Sequence, residues 1–155
     1  MKKLILSIII IIFVNNCQGF KPIFSGKDFK FNIKEKINKS NDNFSRSILK
    51  KLEPFEKIDS ENNQLKSISL ILDTELLERT VSKDKKGNPL IFDIAVLVNA
   101  EYVIDDEIIK KKYSERSLYN NQSNKFDLNQ YKRNILNNMN DKIYEKIILD
   151  LISLQ

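Results

Sequence analysis

The sequence predicts an α+β fold: a two-layer sandwich whose mostly antiparallel four-stranded sheet carries two helices on one face, in the order β-α-β-β-β-α. Three observations lead there. Four stretches of the 155-residue chain alternate apolar and polar residues with period two. Two others space their apolar residues three and four apart, as one face of a helix requires. The last three strand-like stretches are separated by turn-forming residues alone, and strands joined this way, with helices kept to one side, make a layered α+β domain.

Ahead of the domain, Met1, Lys2 and Lys3 open onto eleven residues, Leu4 to Val14, of which only Ser7 is not apolar. A basic start, a short apolar core and a polar break describe a secretory signal peptide. The run falls short of the roughly 20 apolar residues that a spanning helix needs. Cys17, the only cysteine, follows directly. A cysteine in that place is the lipid-attachment residue of a bacterial lipoprotein signal, although Asn16 stands where a small residue is usual. The competing readings are a buried thiol acting as a small hydrophobe and a reactive thiol, which wants neighbouring cations and a catalytic partner. Residues 1–16 are therefore expected to be a lipoprotein signal peptide, 17–28 a lipidated tether, and 29–155 one domain.

The first strand is expected in "KDFKFNIKEKI", where Phe29, Phe31 and Ile33 share a face that Ile37 continues. A helix follows in "SNDNFSRSILKKLEP". Phe44, Ile48, Leu49 and Leu52 form its stripe; Ser40, Asn41 or Asp42 caps it, and Pro54 stops it. "EKIDSENNQ" is a polar connection. In "LKSISLILDTELLERTV", Ile68, Leu70 and Leu72 alternate with Ser67, Ser69 and Asp73. Gly87, Asn88 and Pro89 punctuate the turn after it. The third strand sets Phe92, Ile94, Val96, Val98, Ala100, Tyr102 and Ile104 on one face. Asp93, Ala95, Leu97, Asn99 and Glu101 lie on the other, as expected of an antiparallel strand with one wet face. Asp105 and Asp106 turn the chain into "EIIKKKYSERSLY", the fourth strand. After the loop "YNNQSNK", apolar residues from Leu128 through Ile143 and Ile147 to Leu154 recur every three or four positions. This predicts a closing helix from Asp127, its expected N-cap, about 40 Å long, with the whole stripe packed on the sheet.

Composition narrows the function more than it specifies it. The net charge is +5, from 26 basic and 21 acidic residues spread along the chain. A nucleic-acid binder more often concentrates its basic residues on one face, so no nucleic-acid partner is expected. Histidine is absent, which removes the commonest general base and metal ligand. Asp105, Asp106 and Glu107 are adjacent acids at a turn, and Gly19, Gly26 and Gly87 are too scattered for a phosphate loop. The reading is of a non-enzyme with no catalytic residue, no metal site and no cofactor. Two lysine clusters stand out: Lys83, Lys85 and Lys86 in the turn between the second and third strands, and Lys110, Lys111 and Lys112 on the fourth strand. Both runs can be read as solvated surface that guards against edge-to-edge pairing; as strand alternation should split the second cluster between opposite faces, the turn lysines are the better candidate for binding an anion.

The segment "CQGFKPI" resembles the C-G-F-x-P-L opening of the lipopolysaccharide-assembly lipoprotein LptE family, in its divergent branch. Cys17, Gly19, Phe20 and Pro22 match, Gln18 is extra, and Ile23 replaces leucine. "AEYVIDD" is similar to the family's long strand ending in a turn. "SERSLYNNQ" resembles its fourth strand leading to a Tyr-Asn pair (Tyr119, Asn120), and "KIILDLISL" its closing helix. The resemblance implies a lipoprotein anchored through Cys17 in the outer membrane and facing the periplasm. It would plug the β-barrel protein LptD from inside and help deliver lipopolysaccharide to the outer leaflet. Gln18, in place of the aspartate that marks inner-membrane retention, agrees with that address. Lipopolysaccharide carries phosphates, for which Lys83, Lys85 and Lys86 are the candidate contacts. The residues without the resemblance leave other exported roles open: a ligand-binding lipoprotein, a pilot for a secretin pore, or an envelope spacer.

Overall fold

In the computed structural model, residues 30–56 and 65–154 are described. The signal peptide, Cys17, the tether, Phe29 and the connection at 57–64 lie outside them. The described residues form a strand β1 (Phe31–Asn38), a helix α1 (Asn43–Lys51), three long strands β2 (Lys66–Lys83), β3 (Pro89–Ile104) and β4 (Glu107–Asn120), and a 29-residue helix α2 (Lys125–Ser153). The strands lie side by side in chain order as one sheet. This is the expected β-α-β-β-β-α sandwich.

The sheet is mixed. β2, β3 and β4 form an antiparallel meander, but β1 runs parallel to β2. The reason lies in the connection: a parallel neighbour needs a crossover long enough to return the chain, and α1 supplies it. Asp42 caps α1, its carboxylate accepting from the Phe44 and Ser45 amides at 2.7 and 2.9 Å. After α1 a short 3-10 turn, Glu53–Phe55, takes Pro54 in its first turn. It drops Phe55 onto Phe31, ring centroids 5.7 Å apart.

The inward residues of β2 and β3 named from alternation are buried almost without exception, with Ile68, Leu70, Leu72, Ile94, Val96 and Tyr102 fully so. In β1 the alternation breaks. The register shifts between Ile33 and Glu35, and a one-residue slip sends every later side chain to the other face. Ile37 is consequently 38% exposed, not in the core. The β3–β4 connection is a two-residue hairpin in which Asp105 and Asp106 both have positive φ, 48° and 69°. Both central residues of a type I′ turn need this, and aspartate tolerates it.

α2 begins two residues before Asp127. Asn124 is its N-cap, accepting from the Phe126 amide at 2.9 Å, and Asp127 sits in the first turn. Met139, Ile143, Ile147, Ile148 and Leu151 are buried against the sheet. The stripe is covered only over this second half. No residue of α2 before Met139 is buried, and Tyr131 is 41% exposed. The other helix is the cause: α1 has only nine residues and contacts α2 around Asn140, whose side-chain amide donates to the Phe44 carbonyl at 3.0 Å. The start of α1 still lines one cleft with Arg133 and Leu136, but Leu128, Ile135 and Leu136 pack against the core only partly buried.

Candidate functional site

The turn lysines come first. Lys83 ends β2, and Lys85 and Lys86 lie in the tight connection to β3. Asp84 builds this turn. Its carboxylate accepts from the amides of Lys86 and Asn88, both at 2.8 Å, and from the Asn88 side chain at 2.9 Å. Gly87 takes φ +88°, a conformation open to a residue without Cβ. These bonds, the Asn88 side chain foremost, hold the Asp84 carboxyl below the usual carboxylate range. All three lysines are exposed, and none has an ion-pair partner among the described residues. They form a fixed turn carrying three free ammonium groups.

The strand lysines behave as alternation predicts. Lys110 points to the open face and meets Glu101 at 3.3 Å; Lys111 points to the helix side and meets Asp150 at 3.5 Å. Lys111 is thus set apart, while Lys110 and Lys112 share the open face, where they line one cleft with Lys39 and Glu101.

The open face of the sheet holds a group that the sequence reading passed over. Asp93, placed by alternation among wet residues, is only 4% exposed. No second layer of described residues covers it. Its shield is a pair of arginines from the neighbouring strands. Arg79, its direct partner on β2, donates Nε to Oδ2 at 2.8 Å. Arg116 on β4 grips both oxygens, Nε to Oδ1 and Nη2 to Oδ2, each at 2.6 Å. Arg116, with Arg79 assisting, holds the Asp93 carboxyl down at about 2. Alternation alone puts Arg79 and Asp93 on the outward face of their strands, but their pairing rests on a register that shifts between Thr80 and Ser82 and again between Ser82 and Lys83.

The helix side holds two other polar groups. The hydroxyls of Tyr102 and Tyr113 lie 2.6 Å apart, and Tyr113 donates to Asp150 on α2 at 2.5 Å. Burial pushes both phenols up, so each stays a neutral donor. Further along, Glu78 on β2 is gripped by Lys132 of α2 and by the Tyr119 hydroxyl. Both groups staple α2 to the sheet. Among the described residues no set of His, Cys, Asp and Glu is grouped to hold a metal ion, and no helix is long and apolar enough to cross a membrane.

No protein-family model and no curated protein sequence matches the chain. Solved structures do. The crystal structure of the rare lipoprotein B from Shewanella oneidensis superposes with a TM-score of 0.60 at 15% identity, over 79% of this chain and 95% of that one. The solution structure of an uncharacterized lipoprotein B from Nitrosomonas europaea gives 0.59 at 8% identity, over 81% and 85%. This is the rare-lipoprotein-B fold. It is related to that of LptE, so the family resemblance and the architecture agree. In this chain's version of the rare-lipoprotein-B fold, the turn lysines and the Arg79–Asp93–Arg116 triad share one end of the sheet. β1 begins beside Lys66 at the other end. Between Lys66 and Lys83 run roughly 55 Å of strand at about 3.3 Å per residue.

Proposed function

We propose that the chain is a lipoprotein of the outer membrane, anchored through Cys17 and facing the periplasm. In this reading it plugs the barrel protein LptD, assists the assembly of that barrel, and helps insert lipopolysaccharide into the outer leaflet. The observation that carries the reading is the shared fold, which accounts for nearly the whole length of the rare lipoprotein B structure. It is supported by the leader, residues 1–16, directly before Cys17, and by a sheet face that no layer of described residues covers. The role is one of positioning and not of catalysis, in keeping with a chain that has no histidine.

The geometry adds an orientation. Attached at the start of β1, the domain holds the lysine turn at the far end of a long hairpin. Inside a barrel it would present Lys83, Lys85 and Lys86 to the phosphates of a passing lipopolysaccharide, which ammonium groups bind as point charges. The deciding experiment is a pull-down of the tagged chain from detergent-solubilised membranes. Recovery of a large outer-membrane barrel is the expected result. Recovery of a secretin ring, or of no membrane partner, overturns the plug assignment.

A further inference from the structure

We propose that Arg79 and Arg116, held over the open sheet face by Asp93, form a binding site for a phosphate-type anion. The inference rests on the geometry of the triad and is independent of the assembly role proposed above.

Arg116 alone satisfies Asp93. Its fork engages both carboxylate oxygens in the bidentate geometry that makes such pairs strong. Arg79 adds a single further bond, Nε to Oδ2. Its presence brings a second like charge onto an acid already neutralised, so the triad keeps one net positive charge. A guanidinium has five N–H donors, and Asp93 takes one from Arg79 and two from Arg116. The rest have no other partner among the described residues, and the side chains remain 69% and 60% exposed. Asp93 thus acts as the fixed post from which two cations are presented.

The surroundings suit a ligand. A cleft of about 390 Å³ opens at the triad, with Leu77 and Ala95 as its apolar floor. Glu78 also borders it, but its carboxylate is occupied by Lys132 and Tyr119. The other outward carboxylate on this part of β2, Glu75, lies four residues away, about 13 Å along the strand. Planar, forked guanidiniums favour phosphate and carboxylate oxygens over diffuse anions. Of these, a phosphate brings more oxygens and more negative charge than a carboxylate to two arginines that already share one carboxylate, Asp93.

The test uses the full chain in neutral detergent micelles, with arginine side chains labelled for NMR. Titration with inorganic phosphate at constant ionic strength should shift the Nε–H resonances of Arg79 and Arg116 saturably, while Arg46 and Arg133 stay in place. Doping the micelles with phosphatidic acid identifies the source of the phosphate. A response there as well assigns a lipid head group, and a response to inorganic phosphate alone assigns a soluble anion. The triple variant Arg79→Gln, Asp93→Asn, Arg116→Gln removes the charges together and leaves no buried ion unpaired; it should melt cooperatively yet show no saturable phosphate binding by calorimetry, where the wild type does. Unmoved wild-type resonances with both probes would overturn the proposal, as would shifts equal to those of Arg46 and Arg133.

Discussion

Two kinds of polar residue hold this sheet in place, and they fail differently. The hydroxyl chain from Tyr102 through Tyr113 to Asp150 is ordered by burial: Tyr102 is fully enclosed, and among the described residues its hydroxyl meets only that of Tyr113. Tyr113→Phe strands that hydroxyl in an apolar core and removes a staple to α2, which costs about 1–3 kcal/mol. Tyr102→Phe leaves the Tyr113–Asp150 bond intact and should cost about 0.5–1.5 kcal/mol. Urea denaturation of the two single variants should show that order; equal losses would mean the chain does not act in series. Asp93 is governed by charge instead. Its folded carboxyl lies at about 2, against 3.8 ordinarily, so on acidification the unfolded chain takes up the proton first. Its contribution is complete above about pH 4 and disappears as the pH falls through about 2. Asp93→Asn should flatten that part of the acid limb in urea midpoints measured from pH 5 to pH 2. An unchanged slope would show that the arginines do not stabilise the anion.

At the scale of elements, α2 is divided between two tasks. Its second half is core: Ile143, Ile147, Ile148 and Leu151 are fully buried. Each such side chain is worth roughly 1.5–3 kcal/mol, and a domain has in total only about 5–15 kcal/mol to lose. Deleting residues 143–155 should give an unfolded or aggregated product; a cooperative melt of the truncated chain would refute this. The first half is an apolar stripe without a full cover. The stripe looks continuous in the sequence because periodicity records which face a residue is on, not how far the opposing layer extends. The same distinction explains β1. Alternation assigns Ile37 to the core face, but a bulge is a property of how two strands meet, and no residue type in "KFNIKEKI" announces it.

At the scale of the molecule, the start of β1 lies at one end of the sheet, beside Lys66, and the lysine turn at the other. On the proposed role, Cys17→Ser should release the protein from membranes, since no described helix can hold it there. Equal incorporation of labelled fatty acid into wild type and variant would sink the anchor assignment. Changing Lys83, Lys85 and Lys86 together to Glu should leave the fold and the barrel complex intact, because none of the three has an ion-pair partner among the described residues. Binding to purified lipopolysaccharide should weaken, and the difference from wild type should narrow at high salt, where screening weakens the wild type too. Undiminished binding at low salt would make the loop only a turn.

The sequence by itself determined the order of the elements, the burial of Ile68 through Tyr102, the Asp105–Asp106 hairpin, the splitting of Lys110 from Lys111, and the exposure of the turn lysines. All of these follow from local periodicity and turn chemistry, which act within a few residues. The tertiary structure alone decided that β1 runs parallel to β2, that Asn124 and not Asp127 caps α2, and that the first half of α2 is at most partly buried. It also decided that Arg79 and Arg116 close over Asp93. These depend on where distant segments come to rest against one another: 37 positions separate Arg79 from Arg116 in the chain, and only the register of three strands brings them to one carboxylate.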